Sequence, residues 1–335
     1  MGSSHISIIG GGSWGSALGI MAARAGHAVK LWARSREVAE TINREHVNPV
    51  YLPEVRIPES LVATNELDEA LRGAELVILA VPSHAIRNVL EDMTPLVQAN
   101  TTFISATKGI ETHTGKRVSQ VLDETIGREF TPQFVCLSGP SFAKEVVAGH
   151  PTAVVAASKS SELSRMVQSD LSFENLRIYT NDDVVGTELG GSVKNVMAIA
   201  AGMVAGLGFG SNSVAALITR GLAELSRLAL REGAKLETLM GLAGLGDLVL
   251  TCTGNLSRNR FVGQELGKGR SLQQITSGMN EVAEGIKTAA ALKKLSSRLE
   301  VEMPIANEVY AVLYEGRPAK DAATNLMTRP LRVEF

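Results

Sequence analysis

The first half of the chain alternates between short apolar runs and segments with apolar residues at helical spacing. Continuous apolar strands are buried on both faces, which is typical of a parallel sheet covered by helices on each side. The pattern therefore predicts a doubly wound α/β sheet. Helices are expected over 13–25 and 36–45, the second followed by a loop punctuated by prolines. The predicted strands are residues 6–9, 28–32, 76–81, 101–106 and 134–137, with 152–157 and 176–179 as further candidates.

The pattern changes near Asp182, where strand-like runs end and helical segments, several of them rich in alanine, follow one another. A chain of 335 residues suits roughly two domains. We therefore predict an α/β domain over residues 1–181 and an all-α domain over residues 182–335. The predicted helices of the second domain are residues 183–206, 213–232, 258–267, 281–297 and 304–315.

An uncharged stretch over residues 195–219 raises the question of a membrane span. Its strongly apolar part, 196–210, has 15 residues, fewer than the ~20 that a spanning helix needs. A buried helix without membrane insertion is expected instead. Lys and Arg number 33 and Asp and Glu 35, a net charge of −2, so no global basic field favours nucleic acid as a partner.

Cysteine and histidine do not form a pattern that favours a metal. Cys136 and Cys252 lie far apart, and the six histidines form neither an i, i+4 pair nor a cluster with cysteine. A disulfide scaffold is excluded, and a reducing compartment fits. Because no targeting segment is recognisable, a cytoplasmic location is expected.

A glycine-rich motif follows the first predicted strand and begins the first predicted helix. Gly10, Gly12 and Gly15 match G-x-G-x-x-G, in which glycine permits a tight turn, a close backbone approach to a pyrophosphate, and packing of helix on strand. This context predicts a dinucleotide-binding Rossmann domain. The same stretch also matches G-x-S-x-G, the nucleophile elbow of hydrolases, but that fold needs strands before the elbow that this chain does not have room for.

The end of the second predicted strand bears on the choice of dinucleotide. NAD-selective folds place an acidic residue there, whereas this chain has Arg34 and Arg36 and no acid before Glu37. Two arginines suit a 2′-phosphate, so NADPH/NADP is the expected cofactor, with NADH as the alternative. The competing interpretation is that both arginines are solvated surface side chains.

Polar residues follow the later strands, where ligands bind in a doubly wound sheet. Lys108 follows the strand 101–106 and offers a cation. Gly139 and Ser141 follow the strand 134–137 and offer a close backbone approach and a hydroxyl group. For Ser141, a helix N-cap is the alternative interpretation.

The helical half contains three further candidates. Lys194 follows two helix-interior glycines and precedes an apolar stretch, which would lower its pKa, although lysines more often extend to solvent. Asp247 lies in what we interpret as an apolar loop flanked by glycines, where a lysine partner or a backbone cap would satisfy it. Ser257 and Arg258 begin a helix and suit an anion, or simply cap a surface helix.

Six motifs in this order give the chain a close resemblance to the bacterial NAD(P)-dependent sn-glycerol-3-phosphate dehydrogenase family, over nearly its whole length. That resemblance implies a Rossmann domain and a helical substrate-binding domain, reduction of dihydroxyacetone phosphate to glycerol 3-phosphate for glycerophospholipid biosynthesis, a cytoplasmic location and a homodimer. The motifs are Gly10 to Gly15, Thr107-Lys108-Gly109, Ser138 to Ala143, Lys194-Asn195, Gly246-Asp247-Leu248 and Ser257-Arg258-Asn259.

The resemblance also implies roles for individual residues. Lys194 matches the catalytic lysine. The cofactor-contacting positions match Ser13, Trp14, Arg34, Lys108, Ala143, Arg258, Val282 and Glu284. The substrate-contacting positions match Lys108, Gly139, Ser141, Asp247, Ser257, Arg258 and Asn259, with Asn195 and Thr251 as secondary contacts.

The chemistry of the residues agrees with these roles. Lys194 as an ammonium group would stabilise charge on a carbonyl oxygen and donate a proton, while Asp247 orients it and Lys108 biases its pKa. Two other classes remain open. One is a dehydrogenase for a hydroxyacid or nucleotide sugar, and a carboxylate substrate would not need the Ser257 cluster. The other is a non-catalytic dinucleotide sensor, which would have no use for Lys194 and Asp247.

Overall fold

The computed structural model describes residues 3–173, 175–279, 283–331 and 333–334, and within them eight strands form one sheet. The strands are β1 (His5–Ile9), β2 (Ala28–Trp32), β3 (Leu61–Thr64), β4 (Leu76–Leu79), β5 (Thr102–Ser105), β6 (Gln133–Ser138), β7 (Thr152–Ala157) and β8 (Leu176–Asn181). Their order is β3-β2-β1-β4-β5-β6-β7-β8, so the strand order changes direction at β1. Ligands bind at such a switch point, beyond the carboxyl ends of the strands.

Alternate strand residues pack into two cores, one on each face of the sheet. Ile6 and Ile8 belong to one buried cluster, and Val77 and Leu79 to the other. Helices cover both faces, as the continuous apolar runs predicted. These helices are α1 (Ser13–Arg24), α2 (Arg36–Glu45), α3 (Leu67–Leu71), α4 (Ile86–Met93), α5 (Val118–Glu124), α6 (Ala143–Val147) and α7 (Ser161–Leu171).

The fold class is confirmed, but the sheet is not parallel throughout. β6 and β7 pair antiparallel, with Cys136 opposite Ala157, while the other neighbours pair parallel. Their connection contains only the five-residue α6. Parallel strands are usually joined through a longer helix that crosses the face of the sheet, whereas this link, residues 139–151, returns the chain in the opposite direction.

The strand β3 was not predicted from the sequence, which indicated only a proline-punctuated loop between α2 and β4. β3 has only four residues at the edge of the sheet, and Val62 within it is 49% exposed. A short edge strand with one solvated side has too few apolar residues to stand out from a loop.

Helices alone make up the chain after β8, within the described residues. All five helices predicted there are present, and three short ones and α16 were not predicted. The helices are α8 (Val184–Gly206), α9 (Ser211–Arg231), α10 (Leu236–Met240), α11 (Asp247–Thr253), α12 (Arg258–Gly267), α13 (Leu272–Thr276), α14 (Glu284–Arg298), α15 (Pro304–Tyr314) and α16 (Ala319–Met327).

Helix α8 is the centre of this half. It is long and apolar enough to cross a membrane, but 83% of its most apolar window is buried inside the protein. Glycines let α12 approach it almost backbone to backbone: a Cβ on Gly202 would lie 2.0 Å from Arg260 O, and one on Gly263 would lie 1.9 Å from Ile199 O. The uncharged stretch is therefore a core helix.

The prediction that Asp247 lies in a loop is wrong. A π-helical turn over Leu242–Gly246 continues directly into α11, and Asp247 is the first residue of that helix. Packing holds this glycine-rich backbone helical, because Ala243 lies against α8 where a Cβ on Gly190 would be 2.3 Å from Ala243 O.

Candidate active site

The glycine loop between β1 and α1 has the geometry of a phosphate cradle. Gly10 has φ +127°, and a Cβ there would lie 2.6 Å from Ala80 O; a Cβ on Gly15 would lie 1.9 Å from Gly10 O. Gly12, by contrast, has no atom within 4 Å of where its Cβ would be. It is also the N-cap of α1 and has no side chain to occupy the first N–H groups. The space above Gly12 and these donors fit a pyrophosphate.

The side chains of this loop and its neighbours frame the cradle. Trp14 packs partly buried against the sheet core, and its buried Nε1 has no hydrogen-bond partner among the described residues. Asn48 donates from Nδ2 to Gly11 O (2.9 Å) and fixes the loop from outside. Ser13 begins α1 beside Gly12.

The rim of the cradle is cationic. Gly11 and Ala33 are close enough that a Cβ on Gly11 would lie 2.8 Å from Ala33 Cβ, which places the exposed Arg34 beside the loop. Arg36 instead donates from Nε to Glu40 Oε1 (2.8 Å). Of the two arginines considered for a 2′-phosphate, only Arg34 therefore stays a candidate.

A buried cluster of two lysines and one aspartate lies at the same edge of the sheet. Lys194 Nζ on α8 is 2.5 Å from Asp247 Oδ1, and Lys108 Nζ, after β5, is 2.9 Å from Asp247 Oδ2. Lys194 is 6% exposed and Asp247 1%. The lysine partner expected for Asp247 is thus present, twice, and Lys194 does not extend to solvent.

The electrostatics of the cluster suit proton transfer. Burial lowers the pKa of Lys194 to about 7; the charge of Asp247 opposes this shift and that of Lys108 adds to it. A lysine with a pKa near neutrality exists in both protonation states at pH 7 and can donate or accept a proton.

The turn after β6 positions Lys108. Its ammonium donates to Gly139 O (2.8 Å) and Ser141 Oγ (3.4 Å), and Ser141 Oγ itself donates to Gly139 O (3.0 Å). Gly139 has φ +144°, and a Cβ there would lie 2.9 Å from Val154 Cα. Ser141 is not the N-cap of the following helix, which is Phe142; α6 then begins with Ala143.

A series of hydrogen-bonded amide groups connects Lys108 to helices α8, α12 and α14. Asn195 donates from Nδ2 to Lys108 O (3.2 Å), Asn259 donates from Nδ2 to Asn195 Oδ1 (3.0 Å), and Gly285 N donates to Asn259 Oδ1 (2.9 Å). The structure therefore brings Asn195 and Asn259 together. Thr251, on α11, donates from Oγ1 to Asp247 O (2.6 Å) and lies beneath the carboxylate.

The remaining predicted residues lie at the starts of α12 and α14. Ser257 is the N-cap of α12 and accepts from Arg260 N (3.2 Å), so the helix start predicted there is confirmed. Glu284, the first residue of α14, accepts from Ser83 Oγ (2.6 Å), and its buried carboxyl has a raised pKa that Arg258 partly offsets. Val282 lies outside the described residues.

Sequence reasoning did not single out three residues of this region: His84, Gly285 and Lys287. Gly285 and Lys287 follow the predicted cofactor contact Glu284, and His84 follows Ser83 in the turn after β4. Only the packing of α14 against this turn brings these segments together. No group of three or more His, Cys, Asp or Glu in the described part of the chain would hold a metal ion.

The fold is a doubly wound sheet with a glycine loop suited to phosphate, and a buried lysine with a pKa near neutrality lies opposite this loop on the helical half. This combination defines a dinucleotide-dependent oxidoreductase. Comparison with known proteins gives the family. Residues 5–164 match the model of the NAD-dependent glycerol-3-phosphate dehydrogenase N-terminus, and residues 183–324 match that of its C-terminus. The chain belongs to the NAD-dependent glycerol-3-phosphate dehydrogenase family, and the resemblance drawn from the motifs is confirmed.

Individual relatives are similar over their whole length. The chain is 51% identical to the glycerol-3-phosphate dehydrogenase (NAD(P)+) of Koribacter versatilis, covering 99% of each chain, and 49% identical to that of Myxococcus xanthus, covering 98% of each. The crystal structure of glycerol-3-phosphate dehydrogenase from Coxiella burnetii has a TM-score of 0.94 at 40% identity, over 98% of this chain and 99% of that one.

Proposed function

We propose that this protein interconverts dihydroxyacetone phosphate and sn-glycerol 3-phosphate with NADPH or NADH, with Lys194 as proton donor and acceptor. The observation that carries the proposal is the buried Lys194–Asp247–Lys108 cluster at the sheet edge that bears the glycine loop. Family membership supplies the substrate, and the cluster supplies the proton chemistry that its reduction requires.

Lys194 acts on the oxygen of the reacting carbonyl. In reduction, its ammonium form stabilises the negative charge that develops on that oxygen and then gives it a proton. In oxidation, neutral Lys194 takes the proton of the alcohol. Asp247 holds the amine in place through its Oδ1 and keeps the pKa of Lys194 from falling further.

Gly10, Gly12, Ser13 and the first turn of α1 would hold the dinucleotide, which would supply or accept the hydride. Arg34 and Arg258 are proposed to add positive charge around the dinucleotide, and Glu284 holds the turn that carries Ser83 through the hydrogen bond from Ser83 Oγ. Trp14, Ala143 and Val282 are proposed as further contacts, as the resemblance implies.

The substrate phosphate is proposed to bind at the start of α12. Ser257 caps this ten-residue helix, Arg258 is its first residue, and Asn259 joins it to the lysine cluster. Helix N-terminal N–H groups and an arginine together favour a dianion. Anchoring this end of the molecule fixes the carbonyl at Lys194, which makes reaction effectively intramolecular. Gly139, Ser141, Asn195 and Thr251, which bond to Lys108 or Asp247, are proposed as further substrate contacts.

A wider role is proposed with this activity. The division into a cofactor half over residues 1–181 and a substrate half over 182–335, a homodimer, a cytoplasmic location and the supply of glycerol 3-phosphate to glycerophospholipids all follow the family resemblance. Light scattering on the purified protein tests the dimer, and growth of a strain auxotrophic for glycerol 3-phosphate tests the supply role.

The activity is tested by initial rates with dihydroxyacetone phosphate and, in parallel, with 2-ketoacids and UDP-sugars. We expect turnover only with the ketone phosphate. Lys194→Ala should abolish turnover while dinucleotide binding, followed by fluorescence titration, persists. Lys320→Ala, at an exposed lysine on α16, is the matched control and should behave as the unmodified protein. More than a few per cent of activity in Lys194→Ala would refute the role of Lys194.

A further inference from the structure

Arg34 and Lys287 lie within electrostatic range of His84, and these three basic side chains come from three different segments of the chain. Arg34 follows β2, His84 follows β4, and Lys287 lies in α14. The segments that carry Arg34 and His84 both pass the glycine loop, since Gly11 packs on Ala33 and Gly10 packs on Ala80. Lys287 belongs to the helical half, and its position depends on how α14 packs against the sheet.

The start of α14 is fixed against the turn after β4. Glu284 Oε2 accepts hydrogen bonds from Ser83 Oγ (2.6 Å) and Ser83 N (3.4 Å). Lys287 lies three positions further along α14, and residues at i and i+3 of a helix lie on one face. The face that holds Ser83 therefore also directs Lys287 toward His84.

The electrostatics of His84 agree with this placement. His84 lies in an exposed turn, yet desolvation lowers the pKa of its imidazole, and the charges of Lys287 and then Arg34 lower it further. Both cations are thus within electrostatic range of the same ring. Glu284 faces the group as well, with its buried carboxyl near Lys287.

Apart from the Glu284 carboxyl near Lys287, the cations of this cluster have no paired counter-ion within the described part of the chain. Among the described residues, neither Arg34, His84 nor Lys287 makes a hydrogen bond or a salt bridge through its side chain. Arg36, two residues from Arg34, shows the contrast, because Glu40 satisfies it. Like charges held close together without a partner disfavour one another, and an anion at their centre would remove that repulsion.

We propose that Lys287 is a specificity-determining residue for NADPH, binding the 2′-phosphate together with Arg34 and His84. The proposal rests on the proposed function, because it identifies the anion by the position of the cofactor cradle. In this fold the residue after the second strand lies at the 2′-oxygen of the adenosine ribose, and Arg34 follows β2.

The test compares NADPH with NADH in Lys287→Met. Loss of one charge-assisted contact to a phosphate corresponds to about a tenfold or larger change. We expect Kd for NADPH to rise about tenfold and Kd for NADH to stay within about twofold. Lys287→Arg should retain most of the NADPH affinity. Lys320→Met, with the same loss of charge at an exposed position on α16, should leave both constants unchanged.

Binding is measured directly, by fluorescence titration, and needs no turnover. If the unmodified protein binds neither dinucleotide, the proposed function fails; if it binds both and reduces dihydroxyacetone phosphate, the proposed function stands and only the role of Lys287 is tested. Equal weakening of NADPH and NADH in Lys287→Met, or no change in either, would overturn that role.

Discussion

The charge of Asp247 is predicted to set the pH range in which Lys194 works. Asp247→Asn removes that charge and keeps the size of the side chain. In the protein, Oδ1 of this residue is 2.5 Å from Lys194 Nζ, and its carboxylate is almost fully buried. The substitution therefore acts mainly on the pKa of Lys194, and only secondarily on the position of Lys108.

The magnitude follows from the geometry. Burial brings the pKa of Lys194 to about 7 even with Asp247 raising it. An opposite charge this close typically raises a lysine pKa by about 1–3 units, or ~1.4–4 kcal/mol. Without it, the pKa of Lys194 falls below neutrality, and a decrease at the lower end of this range already reduces the protonated fraction at pH 7 from about one half to about one tenth.

The assay is the pH profile of kcat in both directions. Reduction requires protonated Lys194, so its rate falls as pH rises through the pKa; in Asp247→Asn this fall should move at least about one unit toward acid. Oxidation above pH 8, which uses neutral Lys194, should lose less. Asp182→Asn, at an exposed aspartate paired with Lys235, is the control and should leave the profile unchanged. A midpoint that stays in place or moves to higher pH in Asp247→Asn would refute the reasoning.

Three further predictions concern glycine and lysine positions. Gly12→Ala should raise KM for the dinucleotide without loss of stability, since only open space faces its Cβ. Gly10→Ala, at φ +127°, should lower the free energy of urea unfolding by about 1–3 kcal/mol. Equal losses of unfolding free energy in the two variants would contradict this prediction. Gly263→Ala should lower the free energy of unfolding by about 1–3 kcal/mol, because the added Cβ overpacks the α8–α12 contact. Gly278→Ala meets no close atom and should lower it by less than about 0.5 kcal/mol. A larger loss in Gly278→Ala than in Gly263→Ala would refute this prediction. The pKa of Lys194 is lower in the folded state than in the unfolded chain, so protonation of Lys194 destabilises the fold. The free energy of unfolding of the unmodified protein should therefore rise with pH from about 7 toward 10. Lys194→Met should therefore unfold at pH 7 with no less free energy than wild type, and a loss above about 1 kcal/mol would count against this.

The fold was predictable where the sequence pattern is strong. Seven strands and the five longer C-terminal helices were found because buried strands and helices need continuous or periodic apolar residues. β3 and the short helices were missed, since four or five residues at an edge bury too little surface to leave a pattern. The reversed direction of β7 was not readable either, because it depends on the path of the link that contains α6 and not on the sequence of β7 itself.

The site divides in the same way. The glycine loop could be predicted from the sequence alone, because its function lies in backbone freedom at consecutive positions. The lysine cluster joins Lys108, Lys194 and Asp247 from three distant segments. The resemblance assigned them to one site, but the residues alone left a solvated lysine and a backbone-capping aspartate as alternatives, which only the packing excluded.

By itself, therefore, the sequence determined that this protein has a dinucleotide loop, an α/β half and a helical half, since these follow from local periodicity and glycine placement. Only the tertiary structure decided which charges meet. Whether Lys194 is buried or solvated, whether Asp247 is paired, and whether Lys287 reaches the cofactor rim depend on how α8, α11 and α14 pack against the sheet edge. Electrostatic interactions act between neighbours in space, and no local pattern encodes those neighbours.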